Sequence, residues 1–196
     1  MQLTVRDVSD LFKVSEKTVY RWINQGLLPA YRVNDQYRFN RELAHQYDVD
    51  VFESHLAEAA RLKTRTPAAA VAQLSQAVQL YQGDFVEDFV EGEWFRLPRE
   101  ALRRKYLNAL LDLGQLHFAQ NDFARAAEAY QQAIEKDPVG ETAHRELMRC
   151  YLRLGERGLA LRHYETLKRI MQTELGSPPA PESVALYEQL KHGADV

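Results

Sequence analysis

Lys17, Tyr20, Arg21 and Asn24 recur at intervals of three and four residues, the spacing that gathers side chains on one face of an α-helix. Their chemistry suits a surface that meets nucleic acid. An ammonium neutralises a phosphate, a guanidinium makes two parallel hydrogen bonds to guanine O6 and N7, and a carboxamide does the same at adenine. Arg21 is the expected guanine reader. Ser15 and Thr18 stand at the start of the same helix, and they complete the candidate DNA-contacting set on this element. A second group follows in Arg32, Asn34, Gln36 and Arg38, spread over two short alternating runs that flank Asn34-Asp35. That pattern predicts a hairpin, whose polar residues would grip the DNA backbone or enter the minor groove.

Local signals supply the elements that position these residues. Val5, Val8, Leu11 and Phe12 follow helical spacing after a capping Thr4, which predicts a helix over 4–12. Ser15 caps a second helix reaching about Gln25, where Gly26 provides a left-handed stop. Val19, Trp22 and Ile23 should point inward from it. Asn40 caps a last short helix, 41–47. Residues 1–48 thus read as a winged helix-turn-helix, joined to the rest through a brief linker at 48–50.

The body, 50–196, is helical and repetitive. Leu110, Leu113, Gly114, His117, Ala126, Tyr130, Ala133 and Pro138 occupy the slots of a tetratricopeptide repeat, and His144, Leu147, Met148, Tyr151, Ala160, Tyr164 and Leu167 return to those slots 34 residues later. Small Ala126 and Ala160 let paired helices approach, while Tyr130 and Tyr164 fill the space between hairpins. Residues 51–62 and 68–81 form a degenerate third hairpin closed by Gly83. A helix over 94–120 carries Pro98 in its first turn, where proline is tolerated, and 182–191 is a terminal capping helix. The fold class is mainly α.

Composition bounds the function. Of 196 residues 45% are hydrophobic and 27% charged, the balance of a globular chain rather than a disordered one. The lone Cys150 excludes an internal disulfide. Apolar runs are far shorter than the ~20 residues of a membrane span, and the N-terminus has no basic start followed by an apolar core, so a cytoplasmic location is expected. The net charge of −3 is unevenly spread: residues 1–47 carry seven Lys or Arg against five acids. A small, mildly basic head precedes an acidic body. The six histidines form no HExxH or Cys/His cluster, and no Walker loop or GxSxG elbow occurs, so the chain is expected to be no enzyme and to need no cofactor.

The head resembles the excisionase-like, MerR-type helix-turn-helix family over residues 2–47. The match lies in Leu3-Thr-Val, Val14-Ser-Glu-Lys-Thr-Val-Tyr-Arg-Trp-Ile23, Gly26-Leu-Leu-Pro-Ala30 and Tyr37-Arg38-Phe39. The resemblance implies that residues 15–24 enter the major groove of double-stranded DNA and that Arg32 and Arg38 of the wing meet the flanking backbone. Asp35 places an acid at the wing tip, where basic or small residues are usual, and no heptad run follows the module. The body is similar to the bacterial transcriptional activator domain over most of 50–191, through Leu80-Tyr-Gln-Gly-Asp-Phe85, Trp94, Arg99, Gly140-Glu141, Leu147-Met148, Tyr151, Leu154-Gly155, Ala160-Leu161, Tyr164 and Glu174-Leu-Gly176. In that family the domain normally follows a different winged DNA-binding domain, in antibiotic-pathway and related regulators.

Together these features imply a transcription regulator, expected to activate, whose body mediates homodimerisation or contact with RNA polymerase or another protein. Two other classes stay open. One is a tetratricopeptide-type adaptor holding a peptide in its groove, and the other is an architectural recombination factor. Arginines at helical spacing, Arg61 with Arg65 and Arg99 with Arg103 and Arg104, could clamp a phosphate or a cyclic dinucleotide. Together with Arg145, Arg149 and Arg153 they better suit ion pairs with Glu100, Glu141 or Glu146 on solvated helix faces.

Overall fold

A polar cap opens the first helix. The Thr4 amide and hydroxyl both donate to Asp7 Oδ2, at 2.8 and 2.7 Å, and the Asp7 amide donates back to Thr4 Oγ1 at 3.2 Å. Two donors left over at a helix start are thereby satisfied. The computed structural model describes residues 2–12, 14–24, 28, 30–33, 36–40, 48–84 and 96–193. Within it the chain divides into two compact units, Met1–Asp50 with Phe85–Glu100 and Val51–Asp84 with Ala101–Val196.

The first unit contains β1 (Gln2–Thr4), α1 (Val5–Phe12), α2 (Glu16–Asn24), β2 (Tyr31–Val33) and β3 (Gln36–Asn40). The strands form one antiparallel sheet in the order β1-β3-β2. Its hairpin is the one that the Asn34-Asp35 turn predicts. Strand β1 adds to that expectation: its three residues are too few to show alternation, and its partner, with Leu3 opposite Phe39, comes from the far end of the unit. Val5, Val8 and Val19 form the buried core, closed by Val14, Ile23, Leu28 and Ala30. The expected Gly26 stop, Asn34 and the 41–47 helix lie outside the described residues.

The second unit, which takes α3 from Val51 and α5 from Ala101, is a stack of helical hairpins: α3 (Asp48–Leu62) with α4 (Pro67–Leu80), α5 (Arg96–Ala119) with α6 (Phe123–Lys136), α7 (Glu141–Arg153) with α8 (Arg157–Leu175), and a closing α9 (Pro181–His192). Asp48 to Asp50, expected as a linker, are instead the first turn of α3, where the Asp48 carboxylate accepts from the Val49 amide at 2.8 Å. Acids favour a helix N-terminus, and a segment with no glycine or serine has little to keep it from coiling. Apolar clusters run in series along the stack, and one of Leu110, Ala133 and Ala143 links the first to the second. Ala59, Leu74 and Leu113 centre the first, Tyr130, Leu147 and Cys150 the second, and Met148, Tyr164 and Leu186 the third.

The repeat slots behave as their sizes require. Ala126 and Ala160 are fully buried. At Gly114 any Cβ would stand 2.6 Å from the Tyr130 ring, so a side chain there has no room. Tyr164 stacks on Tyr187 of α9 with ring centroids 4.2 Å apart. Tyr81 and Asp84 close the first hairpin: Tyr81 stacks on Tyr106 at 4.1 Å and donates to Asp84 Oδ1 at 2.8 Å, and Lys136 Nζ lies 2.6 Å from the same oxygen. Gly176, at φ +63°, ends α8 in the left-handed conformation that favours glycine.

Candidate nucleic-acid interface

Helix α2 is anchored from beneath. Val19 is fully buried and Trp22 nearly so, with Ile23 half-buried beside them, the three residues expected to face inward. Ser15 is the N-cap: its hydroxyl accepts from the Thr18 amide at 3.2 Å, and the two hydroxyls lie 2.9 Å apart. Ser15 and Thr18 therefore hold the helix start in shape.

Lys17, Tyr20, Arg21 and Asn24 are all exposed. Tyr20 is 41% exposed, unusual for a large aromatic-bearing side chain in so small a unit. Tyr20 and Arg21 each stand three or four residues from Lys17 and from Asn24, so the set follows one stripe of the helix, about 10 Å long at a rise of ~1.5 Å per residue. An α-helix with such a stripe fits the ~12 Å width of the major groove. The stripe offers a cation at its start, a guanidinium and a phenol at its middle, and a carboxamide at its end.

The hairpin expected to flank this helix is present as β2 and β3. Arg32 pairs in register with Tyr37, whereas Arg38 pairs with Tyr31 on one side and Thr4 on the other. Asn34 lies outside the described residues.

The arginines of the helical body are widely separated in role. Arg61 pairs with Glu58 at 3.1 Å, and Arg65 is exposed in the turn after α3. Arg99 is half-buried on α5, and Arg103 donates to the Lys136 carbonyl at 2.6 Å. On α7, Arg145 donates to Ser183 Oγ and Thr142 Oγ1, each at 3.2 Å. Arg149 pairs with Glu146, and Arg153 lies 4.8 Å over the Phe123 ring. Among the described residues no cluster of three or more His, Cys, Asp or Glu is arranged to hold a metal, and no helix is long and apolar enough to cross a membrane. Cys150 is fully buried, which pushes its thiol up to about 12 and keeps it protonated. His117 fills an aromatic slot of the repeat, and burial lowers its pKa. A histidine pair, buried His144 with half-buried His163, was not legible in the sequence, because 19 residues separate its members and only the repeat geometry brings them together.

Comparison with known proteins finds two matching segments. Residues 47–191 match the family model for the bacterial transcriptional activator domain, and residues 3–43 match that for a helix-turn-helix domain. The chain is 29% identical over 124 residues to the transcriptional regulator RedD of Streptomyces coelicolor, covering 63% of this chain and 35% of RedD. It is 44% identical over 43 residues to a putative DNA-binding protein of Mycobacterium tuberculosis, covering 22% of this chain and 55% of that one. The chain therefore spans about a third to about half of the length of these relatives. Among solved structures, EmbR of Mycobacterium tuberculosis, in complex with a low affinity phosphopeptide, superposes with a TM-score of 0.70 at 16% identity, covering 100% of this chain and 56% of that one. That likeness is one of fold.

Proposed function

The chain belongs to the bacterial transcriptional activator domain family, and we propose that it is a sequence-reading transcription regulator in which residues 1–48 select DNA and the helical body, 50–196, contacts a second copy or RNA polymerase. The observation that carries this reading is the exposed stripe Lys17, Tyr20, Arg21 and Asn24 on a helix locked to its unit by Val19 and Trp22. In the major groove Arg21 reads a guanine, Lys17 neutralises a phosphate near the helix start, and Asn24 reaches an adjacent base. Arg32 and Arg38 on the hairpin hold the flanking backbone. RedD, a transcriptional regulator, supports the same assignment for the body. One reading module of this size binds weakly, and joining two copies raises the effective concentration of the second.

Selection of the purified chain against a random duplex pool at two salt concentrations tests the proposal. A motif should emerge, and Arg21→Ala should abolish it. No enrichment at low salt, or a motif indifferent to Arg21, would overturn it. The symmetry of the motif reports how copies are arranged.

A further inference from the structure

Helices α6 and α8 are the second helices of successive repeats, so residues 34 positions apart hold equivalent slots on them. On their outer faces two of these slots reverse sign: Glu128 of α6 corresponds to Arg162 of α8, and Glu135 corresponds to Arg169. All four side chains are exposed, and none makes a side-chain hydrogen bond or ion pair among the described residues. Neighbouring cations are committed, Arg125 to Asp122 at 3.4 Å, Arg149 to Glu146 and Arg145 to Ser183. Glu128 and Glu135 are seven residues apart, as are Arg162 and Arg169, and two helical turns separate each couple by about 10 Å. Acids and arginines therefore have the same spacing at the same height of the stack. Gln131 Nε2 donates to the Tyr151 hydroxyl of α7 at 3.0 Å, and Tyr151 meets the His163 ring of α8 edge-on at 6.1 Å. The two helices thus border one surface, with Tyr151 between them.

We propose that this surface joins two copies of the chain about a two-fold axis that runs between α6 and α8, along the helices. Such an axis sets α6 of one copy against α8 of the other. Glu128 then meets Arg162 of the second copy and Glu135 meets Arg169, and each contact occurs twice because the interface is isologous. Glu165, the α8 equivalent of Gln131, faces that carboxamide, whose second N–H suits a carboxylate. The exposed Ala124 and Gly158, equivalent to each other at the helix starts, leave room for close approach. Both signs stand in register on one face, and this selects a second copy: a partner of one sign, such as a nucleic acid or an acidic peptide, is repelled by half of it. Exposed ion pairs are individually weak, so the dimer is salt-sensitive and strengthens when two reading modules occupy one DNA. The inference rests on the proposed function, for which it names the surface where the body contacts a second copy.

Sedimentation velocity of the full chain without DNA, at about 50 mM and about 500 mM salt, tests it. A reversible dimer should form at low salt and shift toward monomer at high salt. Glu128→Arg with Glu135→Arg should weaken self-association at least about tenfold, and so should Arg162→Glu with Arg169→Glu, because each double variant sets like charges against each other. Mixed together, the two variants should associate, since every facing pair then has opposite signs. All four reversals in one chain, which return the parent's net charge, should restore the dimer. Circular dichroism checks that each variant keeps its fold, and all four positions are exposed. A parent chain that is monomeric at low salt, growth beyond the dimer, a dimer indifferent to the reversals, or double variants that stay apart when mixed would overturn the proposal. With no DNA present, failure here leaves sequence reading by α2 standing, and a failed duplex selection leaves this result intact.

Discussion

His144 and His163 share one hydrogen bond that fixes the tautomer of both rings. His144 Nε2 lies 2.9 Å from the Pro138 carbonyl, which can only accept, so Nε2 carries the proton and Nδ1 is the acceptor. The 2.9 Å contact from His163 Nε2 to His144 Nδ1 is then a donation by His163. The stacked rings join α7 to α8, with Tyr151 edge-on to His163 at 6.1 Å. Burial lowers both pKa values, that of His163 to about 4, with the neighbouring imidazole adding to the effect at His163. At His144 the Pro138 contact, Glu141 and Asp137 oppose it without prevailing.

Stability should therefore depend on acid in a defined window. An unfolded histidine binds a proton near pH 6.5, whereas folded His163 resists protonation until about pH 4 and burial lowers His144 below the ordinary imidazole value as well. Stability is fully present above pH 6.5 and falls as the pH descends through that window, because the unfolded chain binds more protons. His163→Gln, which keeps an N–H donor for His144 but does not titrate, should flatten the profile. Urea unfolding at pH 7 and pH 5 checks this: a parent chain equally stable at both, or a variant as acid-sensitive as the parent, removes the pair from the account.

Gly114→Ala should destabilise the stack. A methyl at this position meets the Tyr130 ring at 2.6 Å, and Tyr130 is itself enclosed by Leu147 and Cys150 of α7. Overpacking of this kind costs about 1–3 kcal/mol, against which the better helix propensity of alanine returns up to about 1 kcal/mol. Adding Tyr130→Leu makes room for the methyl, so the two substitutions should couple favourably in a double-mutant cycle by urea denaturation. Additive effects would show that α5 and α6 relax apart instead.

Lys17→Ala and Arg21→Ala should differ in kind. Both side chains are exposed on the same stripe of α2. Loss of a phosphate contact weakens binding to every sequence alike and reduces the salt slope by about 1, whereas loss of a base contact costs about 1–3 kcal/mol on the selected site only. Titration of both variants against the selected duplex and a scrambled one at several salt concentrations separates these outcomes. Equal losses on both duplexes for Arg21→Ala would remove it as the reader.

What could be read in advance followed from local physics. Helix α2 was legible because its cap, Ser15, and its buried residues, Val19 and Trp22, lie within one short window. The repeats were legible because alanine and tyrosine return at a fixed period, and size at those slots is dictated by helix approach. Features that depend on distant pairing were not. Strand β1 pairs with residues almost forty positions away, and nothing in Gln2-Leu3-Thr4 itself shows this. Asp48 to Asp50 looked like a linker because acids occur in both loops and helix starts. The arginines of the body gave only a spacing, which is common to anion sites and ion pairs alike; Glu58 and Glu146 pair with Arg61 and Arg149 on their own helices, whereas the Lys136 carbonyl and Ser183 accept from Arg103 and Arg145 across helices.

Glu141 shows how far a marker residue can act from its own helix. It opens α7, yet its two carboxylate oxygens accept from the Ala180 amide at 2.9 and 3.0 Å, and one also accepts from the fully buried Ser183 hydroxyl at 2.5 Å. Arg145, one turn further along α7, donates to that same hydroxyl. The start of α9 is thus bound to the start of α7 by charge-assisted hydrogen bonds, each of a strength of about 1.5–3 kcal/mol. Glu141→Ala leaves the Ser183 hydroxyl and the Ala180 amide without this acceptor, so it should loosen α9 before the rest of the stack. Hydrogen exchange should show faster exchange across residues 180–190, with α5 and α6 unchanged, because α9 packs on α7 and α8 at the end of the stack. Uniform acceleration throughout the body would mean that α9 and the inner repeats open as one unit, and that Glu141 secures the whole stack.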